Sequence, residues 1–257
     1  MGLKYALELY SVRNELKDDL WGTLRKVRKM GYEGVEFAGQ FVHSAQVVKA
    51  AMDDTGLSCI SWHTPWLYMT PPHLLGTITY NKVLGNNDLV IPGLPKEMAD
   101  SKAAWLKTAE EFNEIADILA EYGMHIGYHN HGAEFMDMEG GLPWHYLFDN
   151  TCKVGMQFDN GNAWTAGPDT DVYDPISRYP YRAKTLHVKP FSLKSGHATM
   201  IVDDDIDWVK FFSLCKTHQN VEWYIIEYEC EDLYTPLAGV EKCLDALKKL
   251  ECEGKIA

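Results

Sequence analysis

Eight short apolar stretches, each followed by an amphipathic or turn-forming one, run the length of the chain, and this alternation restricts its fold more than any other feature. The apolar runs are Lys4–Tyr10, Gly34–Phe37, Ser58–His63, Asp88–Ile91, the opening of Met124–Phe135, Lys153–Phe158, Ala183–Lys189 and Glu222–Tyr228. Between and after them the spacing predicts helices over Asp18–Met30, Ser44–Thr55, Pro71–Leu84, Lys102–Tyr122, Leu142–Asn150, Asp171–Ser177, Ile206–Thr217 and Thr235–Leu250. Leu20, Leu24, Val27 and Met30 recur at helical spacing ahead of Gly31, and Trp105, Ala109, Phe112, Ile115 and Leu119 form one apolar stripe. Strands separated by helices lie parallel, since a parallel pair needs a long crossover. Eight such units in 257 residues predict a single (β/α)8 TIM-barrel domain over residues 1–257. An open doubly wound sheet is the competing arrangement, but no Gly-x-Gly-x-x-Gly or phosphate loop follows the first strand.

In such a barrel the active site lies where the carboxyl ends of the strands converge. Those ends carry Glu8 and Tyr10, Glu36, His63, His129 and His131, Asp159, His187 and Lys189, and Glu227 and Glu229. The two-residue period of a strand puts His129 and His131 on one face, and likewise His187 with Lys189 and Glu227 with Glu229. Polar groups aimed into a barrel mouth are costly unless paired, hydrated or bound to a metal. Asp159, His187 and Glu227, on three successive strands, compose a mixed oxygen and nitrogen shell suited to Mn²⁺, Mg²⁺, Co²⁺ or Zn²⁺. His129 either completes that shell or hydrogen-bonds substrate.

A divalent ion there would polarise a hydroxyketone and stabilise the enediolate left when a carbon acid loses its proton. His131, Glu134 and Glu229 are the candidate proton-transfer groups. Glu229 shares a face with Glu227 but stands about 6–7 Å further along the strand, beyond ligand reach of the same ion. Lys189 has two readings, contact with a substrate oxygen or an ion pair with Asp159 or Glu227. Tyr10, Glu36 and His63 are candidate substrate contacts, with a loop-holding carboxylate and a satisfied core histidine as the alternatives for the last two. Trp66 and Trp164, with Trp62 and Phe41, either offer aromatic faces to a sugar ring or cap the barrel.

Net charge is −13, which argues against nucleic acid and anionic membrane surfaces as partners. No apolar run approaches the ~20 residues that span a bilayer. The six cysteines form no Cys-x-x-Cys pair, and with no signal peptide at the amino end they suggest free thiols in a cytoplasmic protein. The expected partner is a small carbohydrate, and whether the chain forms a homo-oligomer is not legible from its sequence.

Several stretches together resemble the xylose-isomerase-like TIM-barrel superfamily, in its sugar phosphate isomerase/epimerase and inosose-dehydratase-like branch. They are Leu7-Glu-Leu-Tyr-Ser-Val-Arg, Tyr32-Glu-Gly-Val-Glu-Phe, Tyr128-His-Asn-His-Gly-Ala-Glu-Phe, Phe158-Asp-Asn-Gly-Asn-Ala, Leu186-His-Val-Lys, Ile206-Asp-Trp and Ile226-Glu-Tyr. The resemblance implies a divalent metal held by a Glu, an Asp, a His and a second Glu on the last four strands. Asp159, His187 and Glu227 take the later three positions, and the first falls on His129. Two further departures are Pro190, where Asp commonly follows the His-x-Lys pattern, and Glu8, where the family has Gln. The implied activity is a metal-assisted sugar or keto-sugar isomerase or epimerase working by proton transfer through an enediolate. A dehydratase of the inosose type starts from the same chemistry, and a non-catalytic sugar-binding barrel is the non-enzymatic alternative. A hydrolytic role like that of the DNA-repair endonucleases sharing this barrel would need more metal ligands and a basic surface.

Overall fold

The computed structural model describes residues 2–257. Eight parallel strands form one sheet: β1 (Tyr5–Glu8), β2 (Gly34–Ala38), β3 (Ser58–His63), β4 (Asp88–Ile91), β5 (His125–His129), β6 (Gly155–Gln157), β7 (Thr185–Val188) and β8 (Trp223–Ile226). Every pair of sequence-neighbouring strands except β6–β7 is hydrogen-bonded, and β1 pairs with β8. The β6–β7 seam closes through a parallel bridge between Asp159 and His187. The nearly closed barrel predicted from the alternation is therefore the observed fold.

Ten helices surround the sheet: α1 (Arg13–Asp18), α2 (Leu20–Met30), α3 (Ala45–Thr55), α4 (Leu74–Leu84), α5 (Lys102–Glu121), α6 (Pro143–Phe148), α7 (Asn160–Trp164), α8 (Asp174–Arg178), α9 (Trp208–His218) and α10 (Pro236–Cys252). Two helices depart from the sequence reading. The first helix begins earlier and breaks at Asp19, whose extended backbone lets its carboxylate accept the Gly22 N–H. Helix α7 is one the apolar period does not announce. It exists because Asp159 Oδ1 accepts the Asn162 N–H at 2.7 Å and so caps it.

The apolar residues divide between two places. The outer strand faces and the helices share the main core, which includes Leu7, Val35, Leu89, Ile126, Phe112 and Leu244. Inside the barrel, Ala6, Ile60 and Ile225 form a separate buried cluster with Trp223 against it. Gly34 makes room for it, since a Cβ there would lie 2.7 Å from Ile60 Cγ2. Two residues further along β1, β2 and β8 the inward position is polar, at Glu8, Glu36 and Glu227. An apolar plug thus floors a polar layer that includes His63, His129, Gln157 and His187, all buried. Full burial of each large apolar side chain contributes about 1.5–3 kcal/mol, so the apolar core supplies the larger share of the barrel's stability.

All six cysteines are unpaired. Among the described residues no helix is long and apolar enough to cross a membrane.

Candidate active site

The site is assembled from the ends of β5, β6, β7 and β8. Asn130 sets the spacing of the first two. Its Oδ1 accepts the Asp159 N–H at 2.8 Å, and its Nδ2 donates to the Asp159 carbonyl at 2.9 Å. Asp159 then has one carboxylate oxygen occupied by the α7 cap and the other, Oδ2, buried without a partner. His129 stands similarly. Its Nε2 lies 3.3 Å from Asn162 Nδ2, while Nδ1 is buried and unpartnered.

His187 sits at the centre. Its Nδ1 lies 2.8 Å from Glu227 Oε2 and 3.6 Å from Asp159 Oδ2, and its ring centroid is 4.5 Å from that of His129. One ligand atom from each of His129, Asp159, His187 and Glu227 falls within 4.8 Å of all the others. Gly161 allows α7 to close on this cluster, because a Cβ there would lie 2.6 Å from the Lys189 carbonyl oxygen.

The protonation states follow from burial and neighbours. Burial would lower the His187 pKa, but the neighbouring carboxylates of Asp159, Glu227 and Glu36 hold it well above the usual imidazole value. His129 is pushed well below that value by burial, with His187 and His63 adding to the effect, so it stays neutral. Burial would raise Glu227, but Lys189 and His187 hold it well below the ordinary carboxylate range. Glu8 moves the other way, raised by burial and by the charge of Glu36.

Several residues take places the strand ends do not reveal. Lys189 is buried at 2% exposure, with Nζ 3.1 Å from Glu227 Oε1 and in contact with Glu229. Of its two sequence readings the structure gives the ion pair, with Glu229 as the added partner. Glu134, expected to move protons, is instead tied down: Oε1 accepts the Tyr128 hydroxyl at 2.6 Å and Oε2 the His131 N–H at 2.9 Å. Glu36, expected to touch substrate, lies beneath His187 with no exposed surface. His63 lies beside it, 2.6 Å from Gln157 Oε1. Trp66 stacks on Phe112 of α5, and Trp62 on Phe37 with Phe41 at its edge, so these rings pack outside the barrel.

His131, Glu229 and Tyr10 are exposed at the mouth, and Trp164 is partly buried near Phe191. Gln157 and Asn130 escaped the sequence reading. Gln157 stands two residues before Asp159, and that spacing was the available signal.

The family model described as xylose isomerase-like TIM barrel matches residues 24–250. The chain belongs to this family. This xylose isomerase-like chain is 23% identical over 241 residues to an inosose dehydratase of Klebsiella pneumoniae, covering 77% of this chain and 79% of the relative. Its structure matches that of a sugar phosphate isomerase/epimerase from Parabacteroides distasonis with a TM-score of 0.79 at 25% identity, covering 96% of this chain and 94% of the other. An L-ribulose 3-epimerase shares the fold with a TM-score of 0.69 at 15% identity, over 98% and 95% of the two chains.

Proposed function

We propose that this protein is a divalent-metal-assisted isomerase or epimerase of a sugar or keto-sugar, working by proton transfer next to a carbonyl. The observation that carries the reading is the close grouping of one ligand atom from each of His129, Asp159, His187 and Glu227, with Asp159 Oδ2 buried and unpartnered among them. A buried acceptor with no donor is unfavourable by about 1–3 kcal/mol, and a cation at Asp159 Oδ2 would relieve that cost. Two imidazole nitrogens and two carboxylate oxygens suit Mn²⁺, Co²⁺ or Zn²⁺, and Mg²⁺ less well. The ion would supply Lewis-acid polarisation of a carbonyl and stabilise developing enediolate charge.

The chain's own groups would do the rest. His131 and Glu229, exposed at the mouth, would take and return a carbon-bound proton. Lys189 keeps Glu227 ionised and holds both Glu227 and Glu229 in place. Tyr10 and Trp164 offer surface to a carbohydrate ring.

Dehydration beside a ketone is the second reading, favoured by the inosose dehydratase relative. Both reactions begin with the same proton abstraction. Metal-loaded protein should be incubated with ketohexoses and keto-inositols in D₂O and followed by proton NMR and ultraviolet absorbance. Solvent deuterium beside the carbonyl with new sugar isomers supports the isomerase, and enone absorbance supports the dehydratase. No exchange with any of the four ions would leave the non-catalytic sugar-binding barrel.

A further inference from the structure

Beneath His187 lies a hydrogen-bonded chain that contact with substrate does not explain. Glu36 Oε2 is 2.8 Å from His187 Nε2, and Glu36 Oε1 accepts from Gln157 Nε2 at 2.7 Å. The same Gln157 nitrogen donates to Thr185 Oγ1 at 3.1 Å, and Gln157 Oε1 faces His63 Nε2 at 2.6 Å. All of these groups are buried, with Glu36 and His187 wholly inaccessible.

The direction of each bond is forced. Gln157 has one acceptor and one donor end. Its oxygen cannot face the Glu36 carboxylate, so its nitrogen must, and its oxygen must then accept the His63 Nε2–H. Glu36 is an acceptor at both oxygens, so His187 Nε2 has to be the donor. The ring therefore carries a proton on Nε2. Nδ1, which donates to Glu227 Oε2 at 2.8 Å in the metal-free protein, is the nitrogen turned toward Asp159 Oδ2 and Glu227 and the one whose proton a cation would displace.

We infer that Glu36 is the positioning carboxylate of His187, holding the Nε2–H from below so that Nδ1 is the atom presented to a cation, with Gln157 and His63 fixing Glu36 in turn. Histidine ligands commonly donate their second N–H to a carboxylate, which sets the tautomer and raises ligand basicity. Glu36 is therefore a positioning residue acting from inside the barrel. The inference rests on the metal reading above.

A second cation among Glu8, Glu36, His63 and His187 is the competing account, since these four also offer closely spaced ligand atoms. It fits less well, because both Glu36 oxygens already accept hydrogen bonds that orient them, and such an ion would have to take Nε2 from the carboxylate.

The test measures Co²⁺ and Zn²⁺ dissociation constants of the full chain and of Glu36→Gln by competition with a chelating dye, with thermal melting alongside. The expected result is a 10–100-fold weaker affinity in the variant, the usual effect of losing such a partner, in a protein that still melts cooperatively. In parallel, long-range ¹H–¹⁵N correlation spectra of the unmutated Zn²⁺-loaded chain should show a proton on His187 Nε2 and none on Nδ1. This readout decides the matter even where Glu36→Gln does not fold. Tight binding by the parent with equal affinity in the variant, or a proton on Nδ1 in the loaded parent, overturns the role of Glu36 and leaves the metal site standing. Two ions per parent chain, with one lost in Glu36→Gln, would put the second cation in its place. A parent that binds neither ion overturns both readings.

Discussion

Asp159 and His187 are backbone partners in the parallel bridge that closes β6 onto β7, and their side chains meet again in the site, with Oδ2 3.6 Å from Nδ1. The residues that complete the barrel are thus two of the four that compose its candidate metal centre. His187 N also donates to the Phe158 carbonyl at 3.0 Å, which fixes the height of one ligand against the other.

Asp159 has two separable tasks, and its removal should show both. Asp159→Ala should reduce retained metal to background. It also uncaps α7, which should lower stability by about 1 kcal/mol, a melting shift of roughly 2–4 °C for a chain of this size. Metal content is read by elemental analysis of protein purified without chelator. Retention at the parental level would remove Asp159 from the ligand set.

His131 is exposed beside His129, with ring centroids 5.4 Å apart, and its backbone N–H is already held by Glu134. Its ring is free for substrate. His131→Ala should lower turnover by about 10²-fold or more, the scale of a positioned acid–base group, while metal occupancy stays unchanged. Should occupancy fall in step with activity, His131 would belong among the ligands.

Lys189 is buried against Glu227, so its loss should lower stability as well as turnover. Lys189→Met leaves Glu227 buried without its cation. Removing one partner of a buried pair costs about 3–5 kcal/mol, so a chemical denaturation midpoint should drop sharply. An unchanged midpoint would mean that the ion pair contributes nothing.

The raised pKa of His187 sets a pH dependence. In the metal-free protein the charged ring is stabilised by its carboxylates, a contribution fully present below the unfolded-state value near ~6.5 and lost as pH rises through the higher folded value. Metal binding must expel the Nδ1 proton. Apparent affinity should therefore rise about tenfold per pH unit until the folded value is reached. Calorimetric titration in buffers of different ionisation enthalpy would count the released proton, and a count of zero contradicts the geometry.

Much of this protein is decided by local rules that a sequence displays. Strand–helix alternation dictates a parallel barrel, and the two-residue strand period dictates which residues enter it. That Asp159, His187, Glu227 and His129 come together inside the barrel was legible for that reason. The tertiary structure decides depth and partnership, because these depend on groups far apart in the chain. Glu36 and His187 are 151 residues apart, and only barrel closure places one beneath the other. Glu134 looks like a proton carrier until the Tyr128 hydroxyl and the His131 N–H claim both oxygens. Trp66 looks like a sugar platform until α5 brings Phe112 under its face. Helix α7 escaped the periodicity because a carboxylate cap, not an apolar stripe, holds it. Period two tells a side chain's face, whereas the partner that satisfies a buried charge is chosen by the packing of the whole barrel.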